Sequence, residues 1–99
     1  MAKLILRQEA INDLDNIWEY TAHIWSENQA DKYYGLIRTA CHEIAETSLI
    51  GRNYDEIDPC LLGCRVGKHI VLYQMIQNDE VEVIRILHEQ MDLKSKLTP

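Results

Sequence analysis

The sequence predicts an α+β fold in which an N-terminal helical hairpin packs on one face of a small, mostly antiparallel sheet. Apolar residues recur every three or four positions between residues 11 and 45, as in amphipathic helices. Between residues 61 and 88 they recur every second position, as in strands. A brief apolar run at residues 4–6 adds a first strand. The 99 residues leave room for one domain, 1–99, in the order β-α-α-β-β-β with a short C-terminal helix.

Two apolar stripes and the join between them predict the helices. The first stripe consists of Ile11, Leu14, Ile17, Trp18, Thr21, Ile24 and Trp25. Ser26 and Gln29 then fit a capping box at the start of a second helix. The second stripe consists of Ala30, Tyr33, Tyr34, Ile37, Ala40, Cys41, Ile44 and Ala45. Because the join is so short, the two helices are expected to form an antiparallel hairpin.

The rest of the chain has the spacing of a three-stranded meander. Gly51 is expected to end the helical region, and an exposed loop is predicted over residues 53–59. Strands are predicted over 61–66, 69–76 and 81–88, with turns at 67–68 and 77–80. Strict alternation divides the last strand into two faces, Val81, Val83, Arg85 and Leu87 against Glu82, Ile84, Ile86 and His88. Both faces are largely apolar, which predicts a central strand covered on both sides, followed by a short amphipathic tail at 91–97.

The charge of the chain argues against a protein whose main task is to grip phosphate backbones. Ten Lys and Arg residues stand against 16 Asp and Glu residues, for a net charge of −6. The acidic excess lies within residues 1–60. It indicates either a solvated helix surface or an acidic surface opposite a neutral-to-basic surface that binds a partner. The sequence has no apolar run that could span a membrane and no signal-peptide core, so a cytoplasmic protein is expected.

Three cysteines, an odd number without an export signal, do not predict a disulfide framework. Cys60 and Cys64, with His69 nearby, invite a zinc interpretation. A structural zinc site needs four ligands, usually as two close pairs, and a second pair is missing from the sequence. We therefore expect neither a metal nor a cofactor, and interpret the cysteines as small apolar residues.

The candidate site is a set of polar residues on the predicted meander: Arg65, His69, Tyr73, Arg85 and His88. An arginine in a half-buried strand needs a partner, because its charge cannot be neutralised. One interpretation is an internal salt bridge between Arg85 and a helix carboxylate such as Glu19 or Glu43. The other is a polar cluster in a groove that binds RNA phosphates or a peptide carboxylate.

Three segments carry a family resemblance: residues 51–52, residues 65–73 (Arg-Val-Gly-Lys-His-Ile-Val-Leu-Tyr) and residues 83–92 (Val-Ile-Arg-Ile-Leu-His-Glu-Gln-Met-Asp). Upstream, the helical hairpin adds Ala10, Asp13, Leu14, Ile17, Trp18, Tyr20, Trp25, Gln29, Ala30 and Tyr33. The sequence resembles the ParE branch of the RelE/ParE toxin superfamily over nearly its whole length. The fold of that superfamily has the element order predicted above.

The resemblance implies the toxin of a type II toxin–antitoxin pair, of the kind associated with plasmid stabilisation. Such a toxin inhibits DNA gyrase by trapping its cleaved-DNA complex, without catalytic activity of its own. The implied partners are gyrase, expected to contact residues 85–96, and a ParD-like antitoxin that links this chain indirectly to operator DNA. Acidic residues of the antitoxin tail are expected to contact Arg65 and Arg85. Formation of a homodimer is a further possibility. The partner-binding residues implied are Arg65, His69, Tyr73, Arg85, His88 and Met91.

Two alternatives remain. In the RelE branch of the superfamily, a ribosome-dependent mRNA endoribonuclease would use His88 as base and Arg65 and Arg85 as phosphate clamps. Glu89 follows His88 where cleaving relatives carry a tyrosine, and an acid there would repel a scissile phosphate, which favours the gyrase poison. The third possibility is a non-toxic relative that still binds an antitoxin.

Overall fold

Two layers, a helical hairpin and a five-stranded sheet, build the computed structural model, which describes residues 3–47, 51–77 and 79–97. Its elements are β1 (Lys3–Leu6), α1 (Gln8–Ile24), α2 (Glu27–Glu46), β2 (Arg52–Asn53), β3 (Leu62–Val66), β4 (His69–Ile76), β5 (Glu80–His88) and α3 (Leu93–Leu97). The predicted α+β class, the element order and the short C-terminal helix are confirmed. The sequence does not predict β2, which begins inside the segment between the helices and the meander. Within the described residues, no helix is both long and apolar enough to cross a bilayer.

The sheet has the order β1-β5-β4-β3-β2, so β5 is an inner strand, as predicted. β1 runs parallel to β5, and the other neighbouring strands are antiparallel. β1 is short and pairs only with the first part of β5, up to Val83, whose carbonyl accepts a hydrogen bond from the Arg7 amide. Beyond Val83, the outer edge of β5 is therefore open to side chains from α1.

The helical hairpin begins and joins as predicted. Ser26 Oγ accepts a hydrogen bond from the Gln29 amide at 3.0 Å, which caps α2. α2 ends at Glu46, before the predicted end at Gly51, and residues 48–50 lie outside the described residues. The buried helix positions are Ala10, Leu14, Ile17, Ala30, Ile37, Ala40, Cys41, Ile44 and Ala45.

The predicted stripe of α1 is wrong at its ends, because Ile11, Ile24 and Trp25 are exposed. Ile11 lies at the margin of the apolar stripe, where it lines an open depression with Leu4 and Leu6 of β1 and is 39% exposed. Ile24 and Trp25 lie where α1 ends, more than one helical turn beyond Ile17, its last buried residue. The stripe is buried only along the part of α1 that the sheet underlies.

Each face of the sheet has its own apolar core. The core between the sheet and the helices, the helix-side core, includes Val71, Tyr73, Val81, Val83 and Ile86. The core on the opposite face, the outer core, is built on Leu61, Ile70, Leu72 and Leu87 and is covered by Tyr54, Ile57, Leu93 and Leu97. This arrangement confirms that both faces of β5 are covered and that the tail after it is helical.

A β-bulge breaks the predicted alternation of β5. Leu72 pairs with Arg85 and the adjacent Tyr73 pairs with Val83, so Ile84 is an extra residue in β5. As a result, Ile86 joins Val81 and Val83 in the helix-side core, whereas Leu87 belongs to the outer core. The predicted division of this strand into two faces is wrong from the bulge onward, because a single inserted residue reverses every later side chain. The predicted turn at 77–80 includes Asn78, which lies outside the described residues.

Candidate docking site at the histidine pair

The two strand-end histidines of the candidate set form a pair. The antiparallel register of β4 and β5 places His69 directly opposite His88. Their ring centroids are 5.3 Å apart and the ring planes are inclined at 82°, an edge-to-face contact. They lie 19 positions apart in sequence, and the hairpin brings them together.

A tyrosine of α2 fixes the orientation of His69. Tyr33 Oη lies 2.6 Å from His69 Nδ1, donates to the Val66 carbonyl at 3.1 Å and accepts from the Lys68 amide at 3.1 Å. The hydroxyl carries one proton, so when that proton is donated to Val66, His69 Nδ1 carries its own hydrogen and donates it to Tyr33 Oη. His69 Nε2 is then left as a hydrogen-bond acceptor.

The turn between β3 and β4 is shaped around the same tyrosine. Gly67 has a φ of +56°, a conformation that glycine adopts without strain. A Cβ atom at Gly67 would lie 2.8 Å from both Tyr33 Oη and Tyr33 Cε1. The predicted turn at 67–68 is confirmed, and its glycine allows the tyrosine to reach the backbone on either side of it.

His88 has the complementary tautomer. Its Nδ1 accepts a hydrogen bond from the Gln90 amide at 3.1 Å, so the neutral ring carries its proton on Nε2. Burial lowers the pKa of His69, and the neighbouring His88 lowers it further against an opposing effect of Asp13. The pair therefore presents a neutral His69 with an acceptor nitrogen beside a donor nitrogen of His88.

A pocket of about 440 Å³ opens beside the histidines, between the end of α1, the start of α2 and the ends of the strands. We call it the aromatic pocket, and its lining residues are Tyr20, Thr21, Trp25, Gln29, Tyr33, Lys68, His69 and His88. Tyr20 and Trp25 are 67% and 76% exposed, although both are large aromatic residues. Among the described residues, none that lines this pocket is acidic.

Sequence reasoning missed most of this pocket. It left Tyr20 and Lys68 out of the candidate site and assigned Tyr33 and Trp25 to buried stripes. A signal for Trp25 was available, because it directly precedes the capping residue Ser26 and therefore lies at the join of the two helices. Aromatic residues at the end of a hairpin, beyond the last turn that the sheet covers, are candidates for exposure.

Arg85 forms the internal salt bridge that was one of its two interpretations, but with a different carboxylate. Its Nε and Nη2 donate to Asp13 at 2.8 and 3.0 Å. Asp13 also accepts from the Ile86 amide at 2.9 Å, and Arg85 Nη1 donates to the Lys96 carbonyl at 3.4 Å. The partner is neither Glu19 nor Glu43, because Asp13 is the acid that α1 holds over the edge of β5 left open by β1.

Arg65 lies on β3, which β4 separates from Arg85 on β5. Its cross-strand neighbour is Ile70, a residue of the outer core, so Arg65 projects away from the helices. The guanidinium pairs with Glu89, and Lys68 Nζ lies 4.0 Å from the other oxygen of that carboxylate. The two arginines are thus tied to different carboxylates, and of the two only Arg85 borders a depression together with the histidine pair.

Two members of the candidate set differ greatly in exposure. Tyr73 shares a strand face with His69 but is fully buried in the helix-side core, where its Oη accepts a hydrogen bond from the Gly51 amide at 2.9 Å. Burial raises the pKa of its hydroxyl. Met91 is exposed and lines a second depression of about 220 Å³ together with Arg85, His69 and His88. Four of the six candidates therefore border two adjoining depressions.

The zinc interpretation gains no support from the geometry. Cys60 is exposed in the loop before β3, whereas Cys64 packs against the helix-side core. Within the described part of the chain, no three or more His, Cys, Asp and Glu residues are grouped so as to hold a metal ion. Burial raises the pKa of the Cys41 thiol to about 11, which keeps it protonated as an apolar core residue.

The fold places the chain in a class of small α+β proteins that is known from solved structures. The structure of the chromosomal ParDE TA system from P. aeruginosa shares the fold, with a TM-score of 0.76. The superposition covers 89% of this chain and 96% of that one at 17% sequence identity.

Sequence comparison identifies the family. Residues 4–93 match the family described as the ParE toxin of the type II toxin–antitoxin system, parDE. Toxin ParE1 of Mycobacterium tuberculosis is 30% identical over 96 residues, which cover 97% of this chain and 98% of the relative. Toxin ParE1 of Caulobacter vibrioides is 32% identical over 92 residues, which cover 93% and 94%. The chain belongs to the ParE toxin family.

Proposed function

We propose that this protein is the toxin of a two-protein module, that it inhibits DNA gyrase by trapping the cleaved-DNA complex, and that a ParD-like antitoxin neutralises it. The proposal includes a cytoplasmic location and the absence of catalytic activity. Contact with operator DNA would pass through the antitoxin alone. Membership of the ParE toxin family and the names of the relatives support the toxin role.

The observation that carries the non-catalytic part of the proposal is the pairing of the two sheet arginines. Phosphodiester cleavage requires positive groups that stabilise charge developing on the phosphate. Arg85 borders the smaller depression with both histidines, but its guanidinium is held by Asp13, and Arg65, which pairs with Glu89, lines neither depression. The chain as a whole has a net charge of −6, which further disfavours RNA as a ligand.

The proposed contact surface for gyrase is the end of β5 and the segment after it, residues 85–96. Met91 is exposed there, at the edge of the smaller depression. Exposed methionine suits a protein interface because its side chain adapts to the partner surface. Of the other predicted contact residues, His69, His88 and Arg85 border the same region.

The test is a gyrase cleavage assay with purified toxin and supercoiled plasmid. Linear DNA should accumulate after protein denaturation only when gyrase, ATP and toxin are all present. Met91→Glu should reduce the yield of linear DNA because it places a charge on the proposed contact surface. Met75→Glu is the matched control, since Met75 and Met91 are 45% and 44% exposed and Met75 lies at the opposite end of the β4–β5 hairpin.

Two results would count against this function. A toxin preparation that arrests bacterial growth but leaves plasmid topology unchanged with gyrase would exclude the proposed target. Normal growth of a host that expresses the chain alone would identify an inert relative that only binds its antitoxin. Equal loss of activity in the Met91→Glu and Met75→Glu variants would contradict the assignment of residues 85–96 as the contact surface for gyrase.

One observation favours a second function, the ribosome-dependent endoribonuclease. The histidine pair places an acceptor nitrogen of His69 beside a donor nitrogen of His88, the combination that general base and general acid catalysis needs. Mapping of mRNA ends after induction of the toxin would detect cleavage. Cuts that disappear in folded His69→Ala and His88→Ala variants would favour the nuclease over the gyrase poison.

A further inference from the structure

We propose that the aromatic pocket is an anchor site for an acidic segment of a protein partner, in which one apolar or aromatic side chain is flanked by a carboxylate. This inference rests on the proposed function in one respect, the existence of a neutralising protein partner. It differs from the sequence-based expectation, which placed the acidic residues of that partner at Arg65 and Arg85.

The apolar part of the inference follows from the pocket lining. Tyr20 and Trp25 expose most of their surface at its rim, and Tyr33 forms part of the wall. Covering an aromatic side chain removes on the order of 150–250 Å² from water, and Trp and Tyr are the residues that most often dominate binding at interfaces. A volume of about 440 Å³ accommodates one large side chain and part of its neighbours.

The acidic part follows from charge complementarity. The chain carries 16 acidic residues, yet none of the described residues that line the pocket is acidic. The lining instead includes the basic residue Lys68 and His88, whose neutral ring carries its proton on Nε2. Lys68 Nζ lies 4.0 Å from Glu89 Oε1, at the outer limit of an ion pair, whereas Arg65 binds the other oxygen of that carboxylate. A carboxylate at the rim would meet both Lys68 and the imidazole N–H.

A peptide fits these groups better than a nucleotide does. A phosphate group carries up to two charges and is usually held by arginine or by several converging N–H donors. Both arginines near this end of the sheet are occupied by Asp13 and Glu89. One exposed ammonium group and one imidazole donor match a single carboxylate, and they are expected to contribute more to specificity than to affinity.

The test measures peptide binding through Trp25. The Trp18→Phe variant makes Trp25 the single tryptophan, since the chain has two. The probe is the tripeptide N-acetyl-Glu-Phe-Glu-amide, whose phenylalanine is silent when tryptophan is excited. Saturable change in Trp25 fluorescence is expected, with a Kd on the order of 1 mM for so small a ligand. The matched peptides Gln-Phe-Gln and Glu-Ala-Glu should bind about fivefold more weakly or not detectably.

Two lysine variants and a nucleotide complete the design. Lys68→Gln should lower the affinity for the acidic peptide to that of the Gln-Phe-Gln peptide. Lys32→Gln, on the exposed side of α2 and outside the lining, should leave it unchanged. AMP is expected to bind more weakly than the acidic peptide. Amide shifts of Gln29 and Lys68 in the ¹⁵N spectrum of the unaltered chain provide a readout that does not depend on the Trp18 substitution.

Several outcomes would overturn the inference. Equal binding of the Glu and Gln peptides would show that the pocket does not recognise a carboxylate. Equal binding of the Phe and Ala peptides would show that it does not bind an apolar side chain. Tighter binding of AMP than of the peptide would make this a nucleotide site. The gyrase assay is independent of these measurements, so peptide binding without DNA cleavage would retain the pocket and reject the gyrase target.

Discussion

Arg85 and His69 lie on neighbouring strands near the same end of the sheet, but their environments differ in one respect. The Arg85 guanidinium is paired with Asp13, whose carboxylate also accepts a hydrogen bond from the Ile86 amide. His69 is hydrogen-bonded to Tyr33, and its ring contacts His88 and belongs to the lining of the aromatic pocket. Arg85 is therefore part of the internal hydrogen-bond network, whereas His69 is positioned by that network at a surface that can bind a ligand.

The difference follows from the chemistry of the two side chains. A guanidinium keeps its charge when it is buried, and burial without a partner is costly. An imidazole can be neutral, so it tolerates partial burial with one nitrogen unused by the protein. Substitutions in the interior should therefore reduce stability, and substitutions in the pocket should chiefly reduce binding.

The largest expected effect is at Asp13. Asp13→Ala leaves the Arg85 guanidinium, only 24% exposed, without its carboxylate and removes the acceptor of the Ile86 amide. We expect the free energy of unfolding in urea to fall by about 3 kcal/mol. Glu19→Ala, an exposed acid on the same helix, should change it by less than about 0.5 kcal/mol. Similar losses in both variants would contradict the assignment of Asp13 as the partner of Arg85.

A pair of glycines tests the packed interior with one kind of substitution. A Cβ atom at Gly51 would lie 2.4 Å from Tyr73 Oη and 3.0 Å from the Gly63 carbonyl oxygen. Gly51→Ala should lower stability by about 2 kcal/mol, because the buried tyrosine cannot move aside. Gly35→Ala, in α2 with nothing within 4 Å of the new methyl group, should raise stability by about 0.5–1 kcal/mol. Thermal unfolding should thus shift in opposite directions, and a shift in the same direction would refute the packing argument.

The smallest effect concerns the pH dependence of the histidine pair. The pKa of His69 is lowered in the folded protein from an ordinary value of 6.5, so the unfolded chain binds its proton more readily. Stability should therefore fall as the pH decreases through about 6.5, and the decrease should end below the lowered pKa.

Urea titrations between pH 7.5 and 5 measure this effect. In His69→Gln the contribution of His69 disappears, so the slope in this range should be shallower. His23→Gln, which changes an exposed histidine of α1, is the matched control and should retain the slope of the unaltered chain to within the contribution of a surface residue. An unchanged slope in His69→Gln would mean that the pKa of His69 is the same in the folded and the unfolded chain, which would contradict the lowered value.

Much of the fold could be predicted because it depends on local patterns. The Ser26 cap, the turn at Gly67 and the bounds of β4 follow from residue types at fixed spacings. Local patterns gave the wrong environment for Trp25 and Ile86. The helical period assigned Trp25 to the core although α1 extends past the sheet, and strand alternation misplaced Ile86 because it cannot foresee a bulge.

The candidate site was predictable in part for the same reason. His69 and His88 occupy opposite ends of adjacent strands, so a hairpin register brings them together. The tyrosine that orients His69 lies 36 residues away in sequence, and the carboxylate that holds Arg85 lies 72 residues away. Several acids were equally placed on the predicted helices, and the sequence contains no information on which of them reaches the arginine.

The sequence by itself determined the elements, their order and the apolar faces that must be buried, because these follow from the periods of helices and strands. It also determined that an arginine in β5 requires an anionic partner. Only the tertiary structure decided that Asp13 supplies it, since β1 stops at Leu6 and leaves the edge of β5 to α1. The same packing decided that the pocket beside the histidines is aromatic and lined by no described acid, because the end of a helical hairpin meets the end of a strand hairpin there.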